Sequence, residues 1–207
     1  MLVLSKAVDS VAPISLGRLT SFLIGSKQGR RLCILCGWLL IITIASAANF
    51  KVLSATTHLK NGVYLLDADI RYRFGKEPRE ALHNGVPLTI ELEIEIMRHR
   101  EWLWDEAIAS LQQYYRLEYY ALSRQYVVIN LNSGELKNFP TFETAIEFLG
   151  RIRDFPLVDA SLLESDTRYY VWLRASLDIY ALPAPLQLLA YFSEDWSLTS
   201  EWYTWPL

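Results

Sequence analysis

Apolar and polar residues alternate with a period of two along most of the chain beyond residue 48. In Pro87 to Met97, Leu88, Ile90, Leu92, Ile94 and Ile96 face one way, and Thr89, Glu91, Glu93 and Glu95 face the other. This is the pattern of a strand with one buried and one wet face. Leu66 to Phe74 repeats it, with Leu66, Ala68, Ile70, Tyr72 and Phe74 set against Asp67, Asp69, Arg71 and Arg73. Tyr169 to Ile179 repeats it again through Val171, Leu173, Ala175 and Leu177. Tyr114 to Leu122 and Tyr126 to Leu131 read as aromatic or β-branched strands joined at Ser123-Arg124. Asn132-Ser133-Gly134 turns the chain into Glu135 to Phe139. The outer strands are predicted at Phe50 to Leu59, turned at Asn61-Gly62, and at Trp196 to Trp205.

One segment changes period. From Thr141 to Ile152, Phe142, Ala145, Ile146 and Leu149 recur at helical spacing, with Thr141 as N-cap and Gly150 after the last apolar position. Ala184 to Leu189, introduced by Pro183 and Pro185, and Glu77 to His83, ending at Asn84-Gly85, are shorter helical turns. Seven to nine strands with little helix predict a mainly β fold. The expected architecture is an antiparallel two-sheet β-sandwich, immunoglobulin-like in the broad sense, with one short amphipathic helix. An eight-stranded outer-membrane barrel also alternates, but the helix at Thr141 and the prolines at 183 and 185 interrupt the strand series it needs.

The beginning of the chain is different in kind. Leu32 to Ala48 is an apolar run behind Lys27, Arg30 and Arg31, and it ends in Ala45-Ser46-Ala47. Basic residues, an apolar run and an A-x-A end make a secretory signal, with cleavage after Ala47 or at neighbouring Ala48. An uncleaved anchor is the alternative, because the run is longer than an ordinary signal core and shorter than an ordinary span. Residues 1–31 are read as a non-structural extension, 32–48 as signal or anchor, and 49–207 as a single exported domain. Cys33 and Cys36 both lie inside the apolar run, so their C-x-x-C spacing is incidental.

Charge follows the same division. The whole chain carries a net −3, but residues 48–207 hold 15 Lys and Arg against 22 Asp and Glu, a net of −7. Such a domain has no basic footprint for nucleic acid or for anionic lipid head groups.

Compact catalytic motifs are missing from the sequence. His58, His83 and His99 are scattered without metal-ligand spacing, no G-x-S-x-G is present, and no cofactor or metal is expected. Asp67 and Asp69, about 7 Å apart on one strand face, fall within the range of a glycosidase carboxylate pair. The commoner reading is a polar face neutralised by Arg71 and Arg73. Glu91, Glu93 and Glu95 form an acidic row suited to a cross-strand ion ladder.

Aromatic residues are in excess: 25 of the 27 lie beyond residue 47. Trp102 and Trp104 are expected on one strand face, and Tyr203 and Trp205 on another. On a wet face, such pairs anchor protein or carbohydrate partners; turned inward, they belong to the core.

The segments Gly62–Asp69, Asn84–Thr89, Tyr120–Val128, Leu157–Ser161 and Ser200–Leu207 resemble the exported proteobacterial proteins grouped as domain of unknown function 4390. The resemblance implies a Gram-negative envelope protein and brings no catalytic residues. The resulting expectation is a non-enzymatic periplasmic module that binds another envelope protein. An envelope hydrolase working through carboxylates and a carrier of a small apolar ligand between the sheets are the alternatives.

Overall fold

The computed structural model describes residues 49–207. The apolar run, Cys33, Cys36 and the Ala47–Ala48 junction lie outside the described residues.

Among the described residues nine strands form two antiparallel sheets, the two-sheet arrangement the alternation predicts. The smaller sheet has the order β1-β2-β7, from Phe50–Lys60, Val63–Tyr72 and Arg151–Asp159. The larger has the order β6-β5-β4-β3-β8-β9. Its strands are β3 (Leu88–Arg98), β4 (Glu106–Tyr120), β5 (Gln125–Asn130), β6 (Leu136–Phe139), β8 (Tyr169–Leu177) and β9 (Tyr203–Pro206). The inward positions read from the sequence are the ones that pack. Leu66, Ala68, Ile70 and Tyr72 of β2 share one buried core with Leu88, Ile90, Leu92, Ile94 and Ile96 of β3 and Val171, Leu173, Ala175 and Leu177 of β8. Burial pushes the phenol of Tyr72 well above its usual range.

Turn chemistry sets the hairpins. Asn61 and Gly62 both adopt positive φ, 53° and 82°, the conformation that a two-residue turn between β1 and β2 requires. Arg124 (φ 54°) and Gly134 (φ 77°) also adopt positive φ, in the hairpins that precede and follow Gln125–Asn130.

Three α-helices are present among the described residues. Helix α1 spans Lys76–His83, α2 Phe142–Leu149 and α3 Ala184–Phe192. The Thr141 hydroxyl accepts the Thr144 amide at 3.2 Å, so the expected N-cap forms. Helix α2 packs on β5 and β6 and also against β2 and β7. Its C-terminus lies directly on β2, where the Ile70 amide donates to the Gly150 carbonyl at 2.7 Å.

Four local expectations are corrected. The helix stops at Leu149, because Arg151 and Ile152 already pair with Asp69 and Ala68 as strand β7. That strand was not anticipated, since its burial breaks the period of two. Ile152 and Leu157 are both buried although five residues apart. A bulge resolves the parity: Leu66 pairs with Phe155 and Ala68 with Ile152, leaving Arg153 and Asp154 opposite Asp67. The last strand is only Tyr203–Pro206, because Glu194–Trp196 winds into a 3₁₀ turn that buries the Trp196 indole. The fourth correction, at Trp102 and Trp104, concerns the candidate site.

The sandwich has two ends. At the proximal end β1 begins, β2 finishes and α1 and α3 lie. There the Asn49 carbonyl accepts the Arg73 amide at 3.1 Å. At the distal end β3 turns into β4 and the C-terminal Leu207 amide bonds to Tyr169. The 11 residues of β3 separate the two by roughly 35 Å.

Candidate functional site

The sequence offered two aromatic pairs, and the structure separates them. Trp102 and Trp104 do not share a strand face; both lie in the loop between β3 and β4, at the distal end. The reversal there is closed by polar contacts. The His99 amide donates to the Arg168 carbonyl at 2.9 Å, His99 Nδ1 lies 3.0 Å from Asp105 Oδ1, and Arg100 Nε donates to the Trp104 carbonyl at 3.1 Å. Arg98 anchors the base of the loop by donating to Glu106 and Glu164. The hydrogen bond to Glu106 raises the Arg98 pKa and holds the Glu106 carboxyl below its ordinary value. With the polar residues spent on closing the turn, the indoles project outward. Trp102 is 93% exposed and Trp104 91%, with exposed Leu103 between them.

Tyr203 and Trp205 do share a face of β9, with ring centroids 5.9 Å apart. That face turns inward. Trp205 is buried, its indole nitrogen without a hydrogen-bond partner among the described residues, and Tyr203 is half-buried against the core. Of the two pairs, the hairpin tip alone presents aromatic surface to a partner.

The carboxylate pair is occupied by the β7 bulge. Asp67 Oδ1 accepts the Asp154 amide at 2.9 Å, and Asp154 holds a positive φ of 50°. His58 lies between the two acids, 3.5 Å from Asp67 and 3.2 Å from Asp154. Asp69 takes the Arg153 guanidinium at 2.6 Å and the Ser54 hydroxyl at 3.3 Å. The neutralising arginine is therefore Arg153, which the bulge brings in, and not Arg71 or Arg73. Asp67 and Asp69 staple an irregular strand, their side chains 36% and 44% exposed.

The Arg153 hydrogen bond keeps the Asp69 carboxyl below its ordinary value. A depressed carboxyl stabilises the fold above its unfolded pKa, and that contribution disappears as the pH falls through the folded one. Asp69→Asn is therefore expected to lower the unfolding midpoint at pH 6, and by progressively less as the pH falls below about 4. A constant offset between variant and parent from pH 3 to pH 7 would contradict this.

The acidic row forms one ionic rung rather than a ladder. Arg174 donates to Glu93 while its guanidinium lies 4.4 Å over the Trp202 ring. Glu91 instead accepts the Tyr114 hydroxyl at 2.9 Å, which raises that phenol's pKa. Glu95 stands opposite Trp172 and Ser110.

His83 joins α1 to β5. Its Nδ1 donates to the Arg79 carbonyl at 2.8 Å, so in the neutral ring Nε2 accepts the Tyr126 hydroxyl at 2.7 Å. Among the described residues no three His, Cys, Asp or Glu side chains gather as metal ligands, and no helix is long and apolar enough to cross a membrane.

At the proximal end an open cleft of about 410 Å³ is lined in part by Lys51, Arg71, Arg73, Glu201 and Trp202. Beside that end runs helix α3, which sequence reading registered only as a helical turn. Just Ala190 of its nine residues is buried. The available signal was the absence of any charged side chain from Ile179 to Ser193.

The model of the family described as "Domain of unknown function (DUF4390)" matches residues 47–206. No curated protein and no solved structure matches the chain.

Proposed function

We propose, from the premise that the chain belongs to the domain of unknown function 4390 family, that it is an exported, non-enzymatic binding module of the bacterial envelope. It grips a partner protein through the Trp102–Trp104 hairpin tip. The observation that carries this reading is the exposure of both indoles on a loop closed by the His99–Asp105 and Arg100–Trp104 contacts. Two indoles and a leucine in water are a standing apolar cost, which a partner pocket removes. Trp is also among the residue types that most often dominate interface energies. The loop needs little ordering on binding, because its backbone is already held by His99, Arg100 and Asp105. Export rests on the basic-then-apolar start of the chain and its Ala45-Ser46-Ala47 end.

The hydrolase reading draws no support from Asp67 and Asp69, whose hydrogen-bonding capacity is committed to Asp154, Arg153 and Ser54.

A photo-crosslinking residue at position 103, between the two indoles of the C-terminally tagged chain and activated in cells, tests the proposal. The expected product is a discrete adduct with one envelope protein, absent when the crosslinker stands at the exposed β5–β6 turn residue Ser133. Trp102→Ala with Trp104→Ala should lower partner recovery by about tenfold or more, the equivalent of one or two lost hot-spot anchors. Adducts equally diffuse at 103 and 133 overturn the assignment. The N-terminal peptide recovered in the same spectra reports whether the chain starts near Ala48.

A further inference from the structure

Helix α3 shows water an apolar surface far larger than its neighbours do. Leu188, Leu189, Tyr191 and Phe192 are 64–84% exposed, and exposed Tyr180 extends the patch. The helix is not loose. Gln187 Nε2 donates to the Tyr180 and Leu182 carbonyls at 2.8 and 2.7 Å, and Asp178 caps the preceding turn through the Tyr180 and Ala181 amides. Beyond its C-terminus, Ser193 and the Trp196 indole both donate to Glu77 of α1 at 2.9 Å. Gly75 lies so close to Asp195 that a Cβ there would sit 2.9 Å from the carboxyl carbon. A rigid helix held this way, with its leucine and aromatic side chains outward, is an interaction surface.

Its place in the fold points to the occupant. Arg73, bonded to the Asn49 carbonyl, is two residues before Gly75, which touches the segment that follows α3. The helix therefore lies at the end of the domain where β1 begins. The apolar run Leu32–Ala48, kept in the anchor reading, joins the described chain directly at Asn49. On the far side of α1, the β4–β5 hairpin carries exposed Tyr120 and fully exposed Leu122 at its tip. That tip is tied to α1 through the tilted ring contact of His83 with Tyr119, centroids 5.1 Å apart. Lys51 and Arg71 stand exposed at the same end. Charged side chains border the patch, with Asp178 before it and Glu194 and Asp195 after it, but none lies within Ile179–Ser193.

We infer that the proximal end docks on a lipid bilayer, with Leu188, Leu189, Tyr191 and Phe192 of α3 entering the interface and Tyr120 and Leu122 touching it beside them. Leucine and aromatic side chains favour this zone, and the strength of such docking follows the apolar area buried. The net −7 of residues 48–207 is consistent with apolar attachment to a zwitterionic surface rather than attraction to anionic lipid. Docking leaves the Trp102–Trp104 tip about 35 Å from the bilayer, a reach set by β3. The inference does not depend on the identity or existence of a protein partner at that tip.

The test uses the full chain held in phosphatidylcholine vesicles by its N-terminal run, with a protease site inserted between Ala48 and Asn49. After cleavage, the domain is expected to sediment with the vesicles. Replacing Leu188, Leu189, Tyr191 and Phe192 by serine should reduce its partitioning at least about tenfold, given the transfer of four apolar side chains. These side chains are exposed, so the variant's circular dichroism and unfolding midpoint should match the parent's. A second readout places an environment-sensitive dye at Leu189→Cys or, at the distal end, at Leu162→Cys, each with Cys33→Ser and Cys36→Ser. Lipid-borne bromine should quench the dye at 189 and spare the one at 162. Equal release of parent and variant, or equal quenching at the two sites, overturns the proposal. So does release of the parent as a dimer, which would assign the face to a second copy of the chain.

Discussion

Gly150→Ala is expected to destabilise the domain by about 3 kcal/mol, at the upper end of ordinary overpacking costs. The backbone of Gly150 is unremarkable, with φ −76° and ψ −11°, so conformational freedom is not what the position requires. Space is. A Cβ at residue 150 would lie 2.3 Å from the Ile70 carbonyl oxygen. That oxygen belongs to β2, the middle strand of the small sheet, and cannot retreat without disturbing β1 or β7. Nor can the helix end lift away, because the Ile70 amide is bonded to the Gly150 carbonyl. Gly62→Ala is the informative comparison. There φ is +82° and nothing lies within 4 Å, so the cost is the left-handed conformation alone, about 1 kcal/mol. Urea unfolding followed by tryptophan fluorescence measures both. Equal costs at the two positions would remove the close helix–strand contact from the account.

Leu173→Ala is expected to cost about 3 kcal/mol, within the range for truncating a buried leucine. Leu173 has no exposed surface and sits on β8 between Ile94 of β3 and Tyr203 of β9. Its neighbours are held by strand pairing on both sides, so the space left behind closes only partly. Trp102→Ala with Trp104→Ala removes far more side chain and should change the unfolding free energy by no more than about 0.5 kcal/mol, because both indoles are already in water. The opposite pattern is expected in crosslinking, where the tryptophan pair matters and Leu173 does not. A double tryptophan variant as unstable as Leu173→Ala would show that the tip is structural, and the binding proposal would lose its support.

The proposed module has its two apolar surfaces at opposite ends. A bilayer at the proximal end and a protein at the distal end would make the sandwich a rigid spacer between them. The β3 strand, buried along one face and paired on both sides, is the element that fixes that separation.

How much of this was legible in the chain depends on how local the cause is. The period of two in Pro87–Met97 determined β3, because a strand with one dry face requires nothing beyond its own alternation. Asn61-Gly62 determined the first hairpin through two positive φ angles, and Thr141 determined the start of α2 through one hydrogen bond made three residues away. Strand β7 was hidden because its bulge moves the buried residues from even to odd positions, and only pairing with β2 restores the register.

The site residues divide the same way. Trp102 and Trp104 have the i, i+2 spacing of one strand face, yet contacts from His99 to Asp105 and from Arg100 to the Trp104 carbonyl close a loop there and both indoles stand in solvent. Tyr203 and Trp205 have the same i, i+2 spacing and face the core, since burial depends on what lies across the sheet. Asp67 and Asp69 looked like candidate chemistry until Arg153 and Asp154 arrived from β7. The sequence by itself determined most of the strands, the turns and the capped helix, whose causes lie within a few residues. Only the tertiary structure decided which aromatic and acidic side chains remain available, because availability is a property of the neighbours that long-range pairing brings.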